Sequence, residues 1–222
     1  WNQETVGKRI QRRSQEKGVE LVPEAAVLAA WADILISVTT PKAARETAEM
    51  VAAALRAGQF YADLNSATPS VKRQVEAVLR PSGVFLVDGG ILVPPSQAGL
   101  KAAIALSGGK AAELAQTLGG LGMKIQVVGD SVGMASAYKV IRSIFTKGIE
   151  AILVECLVAA EQFELRPQIL DTLSTFLRQK PEELFNMLLT THAIHARRRS
   201  GAVEGVLALL QDAGSDGRWT EA

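Results

Sequence analysis

The sequence predicts an α/β protein in which a parallel sheet is followed by an all-helical domain, with one long helix joining the two. Up to about residue 130, short β-branched apolar runs alternate with Ala-rich amphipathic stretches, a pattern typical of strand-helix-strand units. Beyond that point no strand signal remains, and apolar residues recur every three and four positions, which indicates helices. We therefore predict a first domain over residues 1–130 and a helical domain over residues 131–222.

The predicted strands are nearly continuous apolar runs, as expected for parallel strands that helices cover on both faces. They are predicted at residues 34–38, 60–64, 84–87, 103–106 and 124–128. The helices between them begin near a proline or a polar capping segment, or end near a glycine. They are predicted at residues 23–31, 41–56, 69–79 and 110–118.

The second half of the chain begins with a long helical segment. Residues 131–163 contain no proline, and their only glycines are Gly133 and Gly148. About 30 helical residues would extend roughly 45 Å, which is too long for a helix lying on a small sheet, so this helix is expected to link the two domains. Its many small residues permit close helix packing, and we expect a homodimer through the helical domain. Three shorter helices are predicted at residues 168–178, 181–198 and 202–212.

Composition narrows the class of partner. Of the 222 residues 48% are hydrophobic and 21% charged, and 24 basic against 23 acidic residues give a net charge of +1. This balance argues against nucleic acid as the main partner and favours a small polar ligand or another protein. No apolar run reaches the length of a membrane span, and Cys156 is the single cysteine. We therefore expect a cytoplasmic protein with neither disulfides nor a thiolate metal cluster.

Three short segments follow predicted strands, where sheets of this type bind their ligands. They combine hydroxyl, amide and carboxylate side chains with small neighbours that let a ligand approach the backbone. Asn65, Ser66 and Thr68 have a second interpretation, because they also suit the cap of a helix that begins at Pro69. The three segments are Thr39, Thr40 and Pro41; residues 65–68; and Asp88, Gly89, Gly90 and Ile91.

The long helix carries a cluster of cations and hydroxyls on one face. Its members fall at i, i+3, i+4, i+7 and i+8, and they suit a carboxylate or phosphate ligand; a solvated charged stripe is the alternative interpretation. The small residues before Lys139 are expected to bury it, which would lower its pKa as a general base requires. The cluster is Lys139, Arg142, Ser143, Thr146 and Lys147.

Two other patterns lead to negative predictions. His192 and His195 are spaced i and i+3, but no carboxylate completes a metal site at helical spacing, so we predict no metal and place them at a surface helix end. The glycine-rich Gly-x-Gly-x-x-Gly cradle for a dinucleotide is absent. Either the protein binds no dinucleotide or that motif precedes Trp1.

Several motifs together resemble one family. They are the Gly133-x5-Lys139 spacing at the head of a long helix, the Asp-Leu-Asn-Ser-Ala-Thr-Pro turn at 63–69 and the Val87-Asp88 pair. Over nearly the whole chain these resemble the β-hydroxyacid dehydrogenases, the group of 3-hydroxyisobutyrate and 6-phosphogluconate dehydrogenases, and especially a phosphogluconate-dehydrogenase-like branch. The resemblance implies a Rossmann-type domain whose first strand, glycine-rich turn and first helix are missing, since Trp1 would correspond to the end of the second strand.

The resemblance also implies an activity. The family's lysine at the position of Lys139 accepts the proton of a substrate 3-hydroxyl while hydride leaves for the nicotinamide. Ser143 replaces the family's substrate-binding Asn, and the altered segment at Asp88 leaves the identity of the small hydroxy acid open. The implied substrate-binding residues are Ser66, Asp88, Gly89, Gly90, Arg142 and Ser143. The implied cofactor-binding residues are Asn2, Gln3, Val38, Thr39, Thr40, Pro41 and Asn65.

The sequence leaves two questions open: which nicotinamide cofactor is bound, and which class of reaction, if any, the protein catalyses. Gln3 stands where an Arg commonly marks NADP, but Lys8 and Arg9 follow it. No Asp is present there to hold a free ribose hydroxyl as in many NAD enzymes, so NADP is favoured over NAD. An imine reductase is one alternative, although it would be expected to have replaced Lys139. A non-catalytic binding or assembly protein that retains the fold is the other.

Overall fold

A computed structural model describes residues 6–215 and 217–221 of the chain. The chain groups into two compact units, of which the first ends at Ile141 and the second begins at Arg142. The division falls inside the long helix, beyond residue 130, where the sequence pattern changes. The assignment of a role to each domain stays a prediction.

The first unit is built on a five-stranded sheet whose strands follow one another in chain order, β1 to β5. The strands are β1 (Ile34–Ser37), β2 (Phe60–Asp63), β3 (Phe85–Ile91), β4 (Ile104–Ser107) and β5 (Ile125–Gly129). The helices of this unit are α1 (Val6–Lys17), α2 (Ala25–Trp31), α3 (Ala44–Ala52), α4 (Pro69–Leu79), α5 (Pro95–Ala98) and α6 (Ala111–Gly120). The predicted α/β class is confirmed, whereas α1 was not predicted.

The sheet is mostly parallel, and β3 and β4 form the one antiparallel pair. The regular structure of the segment between them, residues 92–103, consists only of the four-residue helix α5 and a single 3-10 turn. No helix carries the chain back across the sheet, so β4 returns beside β3 in the opposite direction. The predicted parallel sheet is confirmed for the other strand pairs, whereas this antiparallel pair was not predicted.

Strand β3 is consequently longer than the sequence pattern indicates. Its first half pairs with β2, and its second half, from Asp88 to Ile91, pairs with β4. Asp88, Gly89 and Gly90 therefore belong to a strand, and the prediction that they form a loop after residue 87 was wrong. A Gly-Gly pair reads as a turn in isolation, but the neighbouring strand supplies the hydrogen bonds that keep it extended.

Apolar clusters cover both faces of the sheet. Tyr61 belongs to the cluster formed with α2, α3 and α4, and Ala62 to the cluster formed with α6. Neighbouring residues of a strand point to opposite faces, so both faces of β2 are buried. This explains why the strands read as continuous apolar runs.

The second unit is helical. The long helix α7 (Met134–Gln162) begins in the first unit and continues into the second, followed by α8 (Arg166–Leu177), α9 (Pro181–Asp212) and α10 (Arg218–Glu221). The separate helices predicted at 181–198 and 202–212 are one helix, interrupted only by non-helical backbone at His195. Ala159, Leu210 and Ala213 form a buried cluster. Within the described residues, no helix has the length and apolarity needed to cross a membrane.

Three charged side chains are buried together where the end of β2 lies beside the middle of β3. Asp63 and Asp88 stand side by side in the register of these strands. Lys72 of α4 places its Nζ 3.1 Å from Asp63 Oδ1 and 3.3 Å from Asp88 Oδ1, and it donates to the Asp63 carbonyl at 2.6 Å. All three side chains are at most 1% exposed. Lys72 therefore lies between two adjacent buried carboxylates and offsets the repulsion between them, although its single positive charge balances only one of the two negative charges.

We predict that Lys72→Met destabilises the protein strongly. The substitution leaves two buried carboxylates without their cation, a change that typically costs about 3–5 kcal/mol. Urea denaturation followed by circular dichroism measures the loss. Arg45→Met is the matched control, because Arg45 pairs with Glu49 on the exposed surface of α3, where a pair contributes about 1 kcal/mol or less. Equal losses in the two variants would show that the buried pairing contributes nothing special.

Candidate active site

The candidate site is at the carboxyl ends of β1 and β2, which Asn65 holds together. The Asn65 side chain is buried; its Nδ2 donates to Ser37 Oγ at 3.0 Å and to Asp63 Oδ1 at 2.7 Å. Its Oδ1 accepts hydrogen bonds from the backbone N–H and the hydroxyl of Thr39. Asn65 thus fixes the segment after β1 against the segment after β2. This places it beneath the surface of the site.

The segment after β2 also begins helix α4. Thr68 is the cap, its Oγ1 accepting from the backbone N–H of Val71 at 3.5 Å, and Pro69 occupies the first helical position. The capping interpretation of this segment therefore holds for Thr68. Ser66 makes no such cap; it is exposed, and its hydroxyl contacts the long helix α7.

The start of α7 is held by polar groups from two strands. Asp88 Oδ2 accepts from the backbone N–H groups of Gly133 at 3.0 Å and Ser136 at 2.9 Å, and its Oδ1 accepts from Ser136 Oγ at 2.7 Å. Ser107 Oγ accepts from the N–H of Ala135 at 2.9 Å. The first N–H groups of a helix have no partner within it, and negative charge is favourable there. Asp88 and Ser107 therefore cap α7 from the sheet.

Two glycines permit the close approach of this helix. Gly133 has a positive φ of 101°, which favours glycine. A Cβ atom on Gly90 would lie 3.2 Å from Lys139 Cδ and 3.3 Å from the Ala135 carbonyl oxygen. The Gly133-x5-Lys139 spacing thus has a geometric meaning: Gly133 turns the chain into α7, and the Lys139 stem then packs against Gly90.

Lys139 is half-buried, and its Nζ donates a hydrogen bond of 2.5 Å to Ser66 Oγ. The structure thereby brings together two predicted site residues that are 73 positions apart in the chain. Arg142 and Ser143 lie in the second unit, and their roles stay predictions. Lys147 pairs on the surface with Glu150 at 2.6 Å, which fits a solvated stripe at that end of the predicted cluster.

The other predicted residues fall into three groups. Val38, Thr39, Thr40 and Pro41 are exposed after β1. Asp88 and Gly89 are buried. The Asp88 carboxylate is bonded to protein groups, and the substrate-binding roles of these residues stay predictions. Asn2 and Gln3 lie outside the described residues.

Sequence reasoning missed Lys72, Ser107 and Ser136. A signal for Lys72 was present, because it shares the buried stripe of α4 with Val75 and Leu79 at helical spacing. A lysine on an otherwise apolar stripe indicates a buried partner of opposite charge. Ser107 and Ser136 offered no comparable signal, since a serine is ordinary at a strand end or in a first helical turn.

Other acid-base and metal chemistry is limited in this region. Burial raises the pKa of the Tyr61 phenol above its ordinary value; Ser37 opposes the rise and the Asp63 charge adds to it. Tyr61 is therefore neutral in the physiological range. Among the described residues, no three His, Cys, Asp or Glu side chains are grouped so that they could hold a metal ion.

No protein-family model matches the chain. A curated relative is an uncharacterized 28.5 kDa protein from the 7S RNA 5' region of Methanothermus fervidus, 28% identical over 186 residues, which are 84% of this chain and 71% of the relative. This similarity establishes relatedness along most of the chain but carries no activity.

Solved structures extend the comparison. The conserved protein MTH1747, of unknown function, is 27% identical with a TM-score of 0.65 over 98% of this chain and 83% of that one, and its structure is described as similar to 3-hydroxyacid dehydrogenases. A reductive aminase from Aspergillus terreus, in complex with NADPH and ethyl levulinate, has 20% identity and a TM-score of 0.74 over 96% and 77% of the two chains. The second likeness is one of fold alone. The fold and the relatives together support the resemblance to the β-hydroxyacid dehydrogenases that is seen in the sequence.

Proposed function

We propose that the protein is an NAD(P)-dependent oxidoreductase of the β-hydroxyacid dehydrogenase type. It would transfer hydride between a nicotinamide and a small 3-hydroxy acid, with Lys139 as general acid and base. The observation that carries the proposal is the 2.5 Å hydrogen bond between Lys139 Nζ and Ser66 Oγ. This pair stands beside the carboxyl end of β2, where a sheet of this kind binds its ligand.

The residues after β1 suit the polar edge of a dinucleotide. Thr39 and Thr40 are exposed hydroxyl residues, and the bonds from Asn65 to Thr39 hold their backbone in place. In this proposal these residues bind the nicotinamide half of the cofactor. The preference for NADP over NAD is part of this proposal and rests on the absence of an Asp at the position of Gln3, with Lys8 and Arg9 following it in the sequence.

The chemistry asked of the chain is a proton transfer. A bound nicotinamide would supply the hydride acceptor. Lys139, as a neutral amine, would accept the hydroxyl proton as hydride leaves the carbon, so the alcohol loses one proton and one hydride and becomes a ketone. Ser66 accepts a hydrogen bond from Nζ and keeps the amine in a defined position. In the reverse direction the ammonium group returns the proton to the carbonyl oxygen.

We predict that Lys139→Ala lowers turnover by at least about 100-fold, the usual contribution of a general base, while cofactor affinity stays nearly unchanged. Turnover is followed by nicotinamide absorbance and affinity by fluorescence titration. Lys147→Ala is the matched control, a surface lysine of the same helix, and it should behave as the wild type. Unchanged turnover in Lys139→Ala would remove Lys139 from its role.

The substrate panel separates the proposal from its alternative. It contains small 3-hydroxy acids and cyclic imines, each tested with both nicotinamides. Reduction of imines without oxidation of hydroxy acids would favour the imine reductase class. Failure of the protein to bind either nicotinamide would refute the dehydrogenase proposal.

We also propose that the helical unit pairs with a second copy of the chain. Large apolar side chains on α7 and α9 are strongly exposed, among them Ile144 at 72% and Leu189 at 71%. Phe145 and Phe185 meet edge to face at 5.6 Å beside Leu189. Exposed apolar surface of this extent marks an association site, and continuity along two helices suits a symmetric dimer.

We predict that the variant carrying Ile144→Glu and Leu189→Glu is monomeric where the wild type is a dimer, because burying the two carboxylates in an apolar interface is unfavourable. Light scattering coupled to size-exclusion chromatography gives the mass. Ile10→Glu, at an exposed apolar position of α1, is the control and should leave the mass unchanged. A monomeric wild type would contradict the proposal.

A further inference from the structure

We propose that Asp88 and Lys72 are positioning residues for Lys139. Neither side chain reaches the surface of the site. Through hydrogen bonds and ion pairs they fix the two elements whose side chains, Lys139 and Ser66, meet at that surface. The catalytic meaning of the inference rests on the proposed function, whereas the positioning itself is a property of the fold and is tested separately below.

Hydrogen bonds to the sheet hold the start of α7 in place. Gly133, Ala135 and Ser136 lie within one helical turn, and each donates its backbone N–H to a side chain of the sheet. Ser136 adds its hydroxyl, which donates to Asp88. Bonds from three successive directions around the helix fix both its rotation and its displacement along the axis. Asp88 receives two of these three N–H groups, so it carries most of that restraint.

The position of the Lys139 amine depends on this first turn of α7. Lys139 follows Ser136 by three positions, so the two side chains share one side of the helix. The Lys139 stem also lies against Gly90, two residues beyond Asp88 on β3. The direction of the stem is therefore set by the same strand that caps the helix. A shift of the helix start would displace Nζ from Ser66, and proton transfer tolerates little displacement.

The position of Ser66 depends on the same buried charges. Asp63 Oδ1 contacts Lys72 and also accepts from the backbone N–H of Asn65 at 3.0 Å and from its side chain. Asn65 directly precedes Ser66, so the position of Ser66 depends on Asp63. Lys72 bridges Asp63 and Asp88. Both partners of the Lys139–Ser66 hydrogen bond are thus held by one buried charge cluster, Lys72 with Asp63 and Asp88.

The test compares Asp88→Asn with Asp130→Asn. Asp130 is an exposed carboxylate three residues before Gly133, bonded to the Ser131 hydroxyl at 3.2 Å. Both variants remove one negative charge near the same helix end, but only the first disturbs the buried cluster. Two signals are measured in the chain without cofactor or substrate: amide hydrogen exchange at Gly133 and Ser136, and the ¹³C resonance of reductively dimethylated Lys139, assigned with Lys139→Arg.

We expect Asp88→Asn to speed exchange at Gly133 and Ser136 by about 10- to 100-fold, the loss of a hydrogen bond to a charged group. The Lys139 resonance should move toward that of exposed lysines. Asp130→Asn should change neither signal. A folded Asp88→Asn protein with wild-type exchange and an unmoved Lys139 resonance would overturn the inference.

A second variant covers the case in which Asp88→Asn does not fold. Ser136→Ala removes only the hydroxyl bond to Asp88 and should move the Lys139 resonance in the same direction by a smaller amount; no movement overturns the inference. These signals need no nicotinamide. A chain that binds neither cofactor yet responds as expected loses the proposed function and keeps the positioning. A chain that turns over but does not respond loses the positioning alone.

Discussion

The structure of the first unit depends on the hydrogen bonds and the ion pair that stabilise the buried carboxylate of Asp88. Asp88 is the residue at which β3 exchanges its partner, since it stands opposite Asp63 on one side and Ser107 on the other. A charge at this depth is tolerated only when hydrogen bonds and an opposite charge surround it. The donors come from α4 through Lys72 and from the first turn of α7. A single charge therefore determines where two helices meet the sheet, and the removal of any one partner leaves the others with an uncompensated group.

The antiparallel pairing of β3 and β4 has a direct consequence for the site. Because β5 runs parallel to β4, it runs against β1, β2 and β3, and it ends at Gly129, which is in register through Ser107 and Asp88 with Asp63 at the end of β2. Helix α7 then runs in the same direction as β3, since its first turn contacts Asp88 while Lys139 contacts Gly90 further along that strand. The reversal that the sequence did not reveal is thus what brings Lys139 to the carboxyl end of β2. The parallel strands β1, β2 and β3 provide the edge of the sheet at which the site lies, and helix α7 provides the Lys139 amine.

The sequence predicted what depends on local pattern and missed what depends on a distant partner. Apolar runs such as that of β2 identified the strands, because burial on both faces leaves a signal in each strand by itself. The Gly133-x5-Lys139 spacing identified the lysine that reaches Ser66. The extension of β3 was missed because Asp-Gly-Gly is a turn signal until β4 pairs with it. Lys72 was missed because a lysine is expected at the surface, and its burial follows only once Asp63 and Asp88 are known to be neighbours.

The buried charge cluster and the accessible Lys139 amine have different roles: the cluster fixes geometry, and the amine is proposed to transfer a proton. A group that fixes geometry benefits from a water-free surrounding, where hydrogen bonds and ion pairs are strong and are not exchanged with solvent. A group that transfers a proton must reach its substrate and must alternate between two charge states, which full burial opposes. One side chain cannot satisfy both demands. Here Asp88 and Lys72 meet the first, while Lys139, three residues beyond the turn that Asp88 caps, is half-buried and bonded to an exposed serine. General acid and base catalysis requires this combination of a rigid buried cluster and an amine that the substrate can reach.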